Sequence, residues 1–171
     1  MNDYVKIARA AIEAYITTGK IISVPKNLPP EFYEKKQGVF ISIHEGKELR
    51  GCVGTYLPDR KNLAEEIISN AVAACSQDPR FSPMSAEELP DVSVEVSLLG
   101  QPEKISRFSE LDPKKYGLIV KCPDGRCGLL LPDLEEIDTA AAQFSIACLK
   151  GGIDPAKDRN LEIYRFTVEK H

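Results

Sequence analysis

The sequence contains neither a long apolar stretch nor a cluster of basic residues. Its longest uninterrupted apolar run, Ala71 to Cys75, has five residues, whereas a helix that crosses a membrane needs about 20. Basic residues come at most in pairs, and 22 lysines and arginines stand against 26 aspartates and glutamates, for a net charge of −4. A protein that binds nucleic acid normally carries a basic patch. We therefore expect neither a membrane-spanning protein nor a nucleic-acid-binding one.

Motifs of the common cofactor enzymes and of secreted proteins are missing as well. The sequence has no glycine-rich phosphate loop, no Ser–His–Asp set and no cluster of metal ligands, so we expect neither a standard cofactor nor a metal site. Its five cysteines are an odd number and are scattered, which does not fit the disulfide framework of a small secreted protein. The first residues, Met1 to Tyr4, include no basic or apolar leader. We therefore predict a cytoplasmic protein with mostly reduced cysteines.

Three segments have the periodicity of amphipathic helices. In the first, apolar residues recur at steps of three and four between a cap at Asn2 or Asp3 and a stop at Gly19. A second helix is predicted to start after its cap at Asn62. The third is predicted over about residues 138–150, where a pair of glycines ends it.

The first predicted hairpin spans residues 38–55. Its two strands alternate between apolar and polar faces on either side of a short turn. A three-residue loop would place Ile43 opposite Leu49 and Ser42 opposite Arg50. We favour this register because it keeps nearly all strong hydrophobes on one face of the sheet.

The order of the elements predicts the fold class. Further strands are expected over residues 92–99, 116–121, 128–131 and 161–168. Because hairpins and a late return strand replace a regular strand–helix alternation, we predict an α+β fold. It has a mainly antiparallel sheet with about three packed helices. Its length and 43% apolar content suit a single domain over residues 1–171.

Two cysteines flank the predicted turn of the later hairpin. A turn centred on Asp124-Gly125 would bring Cys122 and Cys127 directly opposite each other, close enough to bridge if oxidised. The four-residue spacing and the lack of a second Cys/His pair argue against structural zinc. We interpret both cysteines as reduced thiols.

The segment Leu49-Arg50-Gly51-Cys52-Val53-Gly54-Thr55 is the strongest candidate for a functional site. Alternate residues of a strand share a face, so Arg50, Cys52 and Gly54 should point the same way. The Arg50 guanidinium could then lie over the Cys52 sulfur and favour its thiolate form. Gly54 would leave an open slot beside them for a ligand or another backbone. His44 lies about four strand positions from Cys52, or roughly 13 Å, too far for a Cys–His dyad.

Other charged residues could complete this site or serve the fold alone. The two prolines around Arg80 make a rigid loop from which it could reach an anion or simply pair with Asp78. Glu95, in the middle of a predicted strand, could pair with Arg50 or face water. Lys150 falls in the last turn of the third helix, where a cation suits the helix dipole without any ligand.

Several segments together resemble the AMMECR-domain family. They are Leu49-Arg50-Gly51-Cys52-Val53-Gly54-Thr55, Asp78-Pro79-Arg80-Phe81, Glu95-Val96-Ser97-Leu98-Leu99, Gly117-Leu118-Ile119-Val120, Gly128-Leu129-Leu130-Leu131-Pro132 and Cys148-Leu149-Lys150-Gly151-Gly152. The resemblance keeps their order and spans nearly the whole chain. It implies an α+β fold, with either one lobe or two. It also implies association with a MEMO-like protein and a radical S-adenosylmethionine (SAM) enzyme, but no defined reaction.

Two functions remain open from the sequence. In the first, a cleft beside Arg50, Cys52, Gly54 and Thr55 binds or modifies a small anionic ligand, with Arg80 and Lys150 contributing to binding. The Cys52 thiolate would act as nucleophile or covalent carrier. In the second, the chain is a protein-interaction module, and Cys52 is a small residue that fills a tight space between two glycines.

Overall fold

The computed structural model describes residues 2–171, which form two compact units. The first unit runs to Leu99 and includes Glu169–His171, and the second is Gly100–Val168. Each unit holds a four-stranded antiparallel sheet. Three helices of more than ten residues accompany the sheets, and the predicted α+β class is confirmed.

Two long helices of the first unit begin and end at the predicted signals. Helix α1 (Asp3–Thr18) starts where the Asn2 side chain accepts a hydrogen bond from Val5 N, and it ends at Gly19, whose φ of 69° is left-handed. Helix α2 (Glu31–Glu34) is a single turn. Helix α3 (Leu63–Ser76) starts at Asn62, whose side chain accepts from Glu65 N.

The sheet of the first unit carries the Cys52 motif on one of its edges. Its strands are β1 (Gly38–Glu45), β2 (Glu48–Thr55), β3 (Val92–Leu99) and β8 (Val168–Lys170), in the order β2-β1-β3-β8. The side chains of Val39, Ile41 and Ile43 are fully buried in the core that α1 and α3 share with this sheet. Strand β2 is therefore an edge strand with only β1 beside it.

The register of this hairpin differs from the predicted one. Ser42 lies opposite Cys52 and His44 opposite Leu49, with an irregularity between Ile43 and His44 at which Arg50 is the extra residue. The predicted pairs of Ile43 with Leu49 and Ser42 with Arg50 are wrong. The turn is one residue shorter than predicted. The extra residue of the bulge compensates for this, so that the apolar and polar side chains still lie on opposite faces of the sheet.

The second unit has a separate sheet and core. Its strands are β4 (Glu103–Ile105), β5 (Gly117–Lys121), β6 (Cys127–Leu130) and β7 (Glu162–Phe166), in the order β4-β7-β5-β6. Helix α4 (Ala140–Lys150) starts two residues later than the predicted Asp138, because the Thr139 side chain caps it by accepting from Ala142 N. Leu118, Val120 and Ala147 are among the fully buried residues of this core.

The two cysteines of the later hairpin do not face each other. Cys127 lies opposite Lys121, while Cys122 N donates a hydrogen bond to Arg126 O at 2.8 Å. The predicted direct opposition of Cys122 and Cys127 is wrong. The turn is closed by a hydrogen bond from Gly125 N to Cys122 O, which places Cys122 opposite Arg126. Within residues 2–171, no helix is both long enough and apolar enough to cross a membrane.

Gly51 lets α3 pack directly on the edge strand. A Cβ atom at this position would lie 2.3 Å from the Ala74 carbonyl oxygen. We therefore expect Gly51→Ala to lower the free energy of unfolding by about 1–3 kcal/mol, since helix and strand must move apart. Urea denaturation provides the measurement. Glu48→Ala, at the exposed start of the same strand, is the control and should change stability by less than about 0.5 kcal/mol; equal effects would contradict the packing argument.

Candidate functional site

The backbone of Cys52 is held from outside the sheet by one acid and one arginine. Cys52 N donates a hydrogen bond to Asp78 Oδ2 at 2.8 Å, and Arg80 Nη2 donates to Cys52 O at 3.2 Å. Because β2 is an edge strand, these backbone groups have no strand partner on that side. Asp78 and Arg80 take the place of the missing strand at this one residue.

Asp78 and Arg80 also bind each other. The Arg80 guanidinium donates to the Asp78 carboxylate through Nε at 3.0 Å and through Nη2 at 2.7 Å. Asp78 is only 5% exposed. The hydrogen bond from Arg80 holds the pKa of Asp78 well below its usual range, and the backbone N–H groups of Cys52 and Arg80 add to this effect. Of the two roles considered for Arg80, the pairing with Asp78 is confirmed.

The Cys52 sulfur is half-buried and meets two hydrogen-bonding groups. The Ser42 hydroxyl donates to Sγ at 3.4 Å from the neighbouring strand. The Arg80 side chain also interacts with the thiol: the pKa of Arg80 is raised chiefly by its hydrogen bond to Asp78, and Cys52 contributes through charge and a hydrogen bond. The Arg80 side chain is 54% exposed, so one side of this guanidinium faces solvent.

Arg50 has partners other than the expected thiol. Its Nε and Nη2 donate to the Glu88 carboxylate at 2.5 and 3.2 Å, and Nη1 donates to the Ser82 carbonyl at 3.0 Å. Its side chain is 14% exposed. Arg50 is the main reason that the pKa of Glu88 is lowered. The predicted position of the Arg50 guanidinium over the sulfur is therefore replaced by an ion pair with Glu88, and Arg80 occupies the place next to Cys52.

Phe81 lies beside both arginines of the site. The guanidinium carbons of Arg80 and Arg50 are 5.4 and 5.9 Å from the centre of its ring. Both distances are within the range of cation–π attraction. Phe81 therefore links the two ion pairs into one cluster.

The space beside Gly54 is filled rather than open. A Cβ atom at Gly54 would lie 2.4 Å from the Phe40 ring and 2.4 Å from the Val39 carbonyl oxygen. Of the two groups predicted to approach Gly54, the close approach of another backbone is confirmed, because the glycine lets Val39 and Phe40 of the neighbouring strand lie against it.

Thr55 is bound to a buried acid. Its hydroxyl donates to Glu66 Oε1 at 2.5 Å, and Asn70 Nδ2 donates to Thr55 Oγ1 at 3.3 Å. Both partners belong to α3, which covers the core face of the sheet. Thr55 therefore serves the junction between β2 and α3, and its hydroxyl is engaged there.

Lys150 belongs to a different compact unit from the other five candidate residues. It is the exposed last residue of α4 in the second unit. A cation at this position complements the carbonyl end of the helix dipole.

Two further expectations concern residues near Ser42 in the sheet, Glu95 on β3 and His44 on β1. Glu95 lies opposite Ser42 on β3, and its carboxylate is 3.8 Å from Lys170 Nζ, so the proposed pairing of Glu95 with Arg50 is wrong. His44 is two positions from Ser42, which makes it a diagonal neighbour of Cys52 at roughly 7–8 Å. The predicted separation of 13 Å is therefore wrong, because it assumed the wrong register. Among the described residues the Cys52 sulfur accepts from Ser42, and no hydrogen bond joins it to His44.

The other cysteines have different surroundings. Cys75 is buried in α3, and burial raises the pKa of its thiol to about 11. Burial also raises the pKa of Cys148. Cys122 is half-buried, and its sulfur accepts from Arg126 Nη2 at 3.6 Å. The carboxylates of Asp124 and Asp158 bind that same guanidinium, so the cation beside Cys122 carries two acidic partners.

Sequence reasoning did not assign Ser42, Glu88 or Phe81 to the site. Ser42 could have been found only with the correct register, which depends on the bulge. Glu88 lies 38 residues from Arg50 in the chain, and no periodic pattern relates the two. The close spacing of Asp78 and Arg80 was the one local signal for the ion pair.

Comparisons with known proteins match nearly the whole chain. The family model described as AMMECR1 matches residues 5–171. A Thermotoga maritima protein is 51% identical over 171 residues, covering 99% of this chain and 97% of its own. A Clostridium acetobutylicum protein is 45% identical over 99% of this chain, but the match covers 36% of its own length. The crystal structure of an uncharacterized protein from Pyrococcus horikoshii superimposes with a TM-score of 0.90 at 36% identity, over 98% of this chain and 88% of that one.

The buried carboxylate of Asp78 should contribute to stability in a pH-dependent way. At neutral pH, Asp78→Asn should lower the free energy of unfolding by about 1–3 kcal/mol, because an ionised partner of Arg80 is lost. The pKa of Asp78 is lower in the folded state than its ordinary value of about 3.9. Its contribution is therefore complete above about pH 4 and is lost as the pH falls towards the folded-state pKa.

Urea denaturation of both proteins over a pH series tests this expectation. The difference between the native protein and Asp78→Asn should shrink below about pH 4. Asp91→Asn, at the exposed position just before β3, is the matched control. It should have little effect on the free energy of unfolding at any pH. A difference that stays constant with pH would show that the carboxylate charge is not what stabilises this site.

Proposed function

The chain belongs to the AMMECR1 family, and on this premise we propose that it binds a small anionic ligand beside Cys52 and modifies it through the sulfur. The proposal rests mainly on one observation. Cys52 is half-buried, its sulfur accepts from the Ser42 hydroxyl, and its carbonyl accepts from the half-exposed Arg80 guanidinium. The thiolate is the nucleophilic form of cysteine, and Ser42 and Arg80 are the two polar side chains nearest to this sulfur.

Arg80 is the residue proposed to hold the ligand anion. Its Nε and Nη2 donate to Asp78 and to the Cys52 carbonyl, and 54% of the Arg80 side chain is exposed, so it is accessible to a ligand. Arg50 is largely buried in its pair with Glu88. We therefore assign Arg50 to positioning the loop that carries Arg80, and we assign direct binding of the anion to Arg80.

The covalent step proposed for this site is acyl transfer to sulfur. The Cys52 thiolate, whose proton has passed to solvent, attacks the electrophilic carbon of an acyl compound. A sulfur–carbon bond forms while the bond from that carbon to its leaving group breaks, and the leaving group departs with the bonding electrons. A thioester at Cys52 results, and no oxidant or reductant is needed.

Reactivity towards two alkylating reagents of different charge tests this site. We expect the ratio of the rates with iodoacetate and iodoacetamide to be higher at Cys52 than at Cys122. The cation beside Cys122 has two carboxylate partners, whereas Arg80 has one. Arg80→Gln should lower the ratio at Cys52 by about two- to fivefold, because a half-exposed charge contributes roughly 0.5–1 kcal/mol.

Site-resolved mass spectrometry measures both thiols in one sample, so Cys122 is an internal control. Lys47→Gln, in the turn of the same hairpin, removes a positive charge away from Cys52 and should leave the ratio unchanged. Equal ratios at Cys52 and Cys122, or equal effects of Arg80→Gln and Lys47→Gln, would refute an anion site at Cys52.

A second candidate function is a protein-interaction module. Gly51 and Gly54 are required for close packing, and Asp78 and Arg80 hold the edge strand, so the motif has a complete structural role. In the Clostridium acetobutylicum relative, most of the chain lies outside the matched region. We propose residues 1–171 as a single AMMECR-type domain that works in the cytoplasm with a MEMO-like protein and a radical SAM enzyme.

Binding measurements with these two proteins, each purified, separate the two functions. If Cys52→Ser and Arg50→Ala retain the affinity of the native chain for either protein, the interaction surface lies elsewhere and the module is supported. If neither protein binds the native chain in a pull-down or by calorimetry, the interaction proposal fails. Loss of binding in both variants would instead place the partner surface at the Cys52 site.

A further inference from the structure

A cleft of about 490 Å³ lies in the first unit between an extended segment and one face of α3. Its volume falls in the range of roughly 300–1,000 Å³ that is typical of small-molecule sites. The lining residues are Ile21, Ile22, Ser23, Val24, Arg60, Glu65, Ile68 and Ser69. None of them belongs to the Cys52 site.

One part of the cleft wall is apolar. Ile22 and Val24 alternate with exposed residues along the extended segment and pack against the core, and Ile68 of α3 is buried beside them. Ile21 is 64% exposed at the same cleft, an unusual position for so large an apolar side chain. The cleft therefore offers a surface on which an apolar group would be sheltered from water.

A positive charge is held in place at this cleft. Arg60 N donates to the buried carboxylate of Glu66 at 2.7 Å, and Arg60 Nε donates to Ser69 Oγ at 3.2 Å. The contact of Arg60 with Asp59 is loose, at 3.8 Å. The backbone and the Nε atom of Arg60 are thus held in place, while its side chain lines the cleft and is 50% exposed.

A negative charge lies close to it. Glu65 and Ser69 are four residues apart on α3, so they share one face of the helix with about 5–6 Å between their Cβ atoms. Arg60 lies over Ser69, yet the described part of the chain contains no ion pair between Arg60 and Glu65. Glu65 Oε2 accepts a long hydrogen bond from the Lys61 amide at 3.4 Å, so a cation and an anion line one cleft without an ion pair between them.

We propose that this cleft binds an α-amino acid with an apolar side chain. Arg60 binds the carboxylate, Glu65 binds the ammonium group, and Ile22, Val24 and Ile68 surround the side chain. This ligand class satisfies both charges and the apolar wall at once. A plain carboxylic acid or a plain amine pairs with only one of the two charges, so one of the two ion pairs with the ligand is not formed.

Three related compounds test the proposal by isothermal titration and by chemical-shift mapping of the full chain. L-Phenylalanine should bind saturably and shift the resonances of Ile22, Val24 and Ile68. Phenylpropanoate, which lacks the ammonium group, and phenethylamine, which lacks the carboxylate, should each bind more weakly by roughly two- to fivefold, because each loses an ion pair with a half-exposed group. Leucine and isoleucine extend the test to aliphatic side chains.

Matched variants identify the groups responsible. Arg60→Gln should weaken phenylalanine binding by roughly two- to fivefold and leave phenethylamine unaffected, and Glu65→Gln should weaken phenylalanine and leave phenylpropanoate unaffected. Lys61→Gln removes an adjacent cation outside the cleft and should have no effect. The proposal is overturned if none of the three amino acids binds at millimolar concentration. It is also overturned if phenylpropanoate binds as well as phenylalanine, or if Arg60→Gln and Lys61→Gln behave alike.

Discussion

The buried carboxylate of Asp78 holds the Cys52 site together. An acid that is 5% exposed is stable only with good partners, and this one has the Arg80 guanidinium and the amide of Cys52. Because Asp78 lies beside the edge strand β2, its contacts with Cys52 and Arg80 also affect that strand. They satisfy backbone groups that would otherwise be open to another strand, and they fix the direction in which the Cys52 side chain points. Ser42 then lies directly across the ladder from the sulfur. The geometry of the thiol therefore depends on a residue 26 positions away in the chain.

The charges of the site balance within the chain. Arg50 is neutralised by Glu88 and Arg80 by Asp78, so the formal charge does not by itself attract an anion. The difference between the two arginines is exposure, since the Arg50 side chain is 14% exposed and that of Arg80 is 54% exposed. A ligand can approach only the second. These ion pairs also agree with a purely structural role for the motif. Every strong contact of the two guanidiniums is a contact that maintains the fold.

Local patterns predicted the elements better than their contacts. Helices α1 and α3 follow from apolar periodicity and from caps at Asn2 and Asn62, which act within a few residues. The register of the first hairpin did not follow, because a bulge at Arg50 cancels the effect of a shorter turn. Gly54 shows a different limit. A glycine in a strand signals either open space or close packing, and only the position of Phe40 decides between them. The Arg50–Glu88 pair could not be predicted for a third reason: it joins residues that are 38 positions apart in the chain.

Glu66 connects the end of the Cys52 strand with the loop that carries Arg60. Its carboxylate is 1% exposed and accepts from the Thr55 hydroxyl at the end of β2, from Asn70 on α3, and from the amides of Asp59 and Arg60. All four donors are neutral, so this carboxyl group is held by hydrogen bonds from the protein rather than by an ion pair. Removing it would leave buried donors without partners on both sides. The strand that presents the thiol and the loop that presents Arg60 are therefore not independent features of the first unit, because both are anchored to the same buried acid.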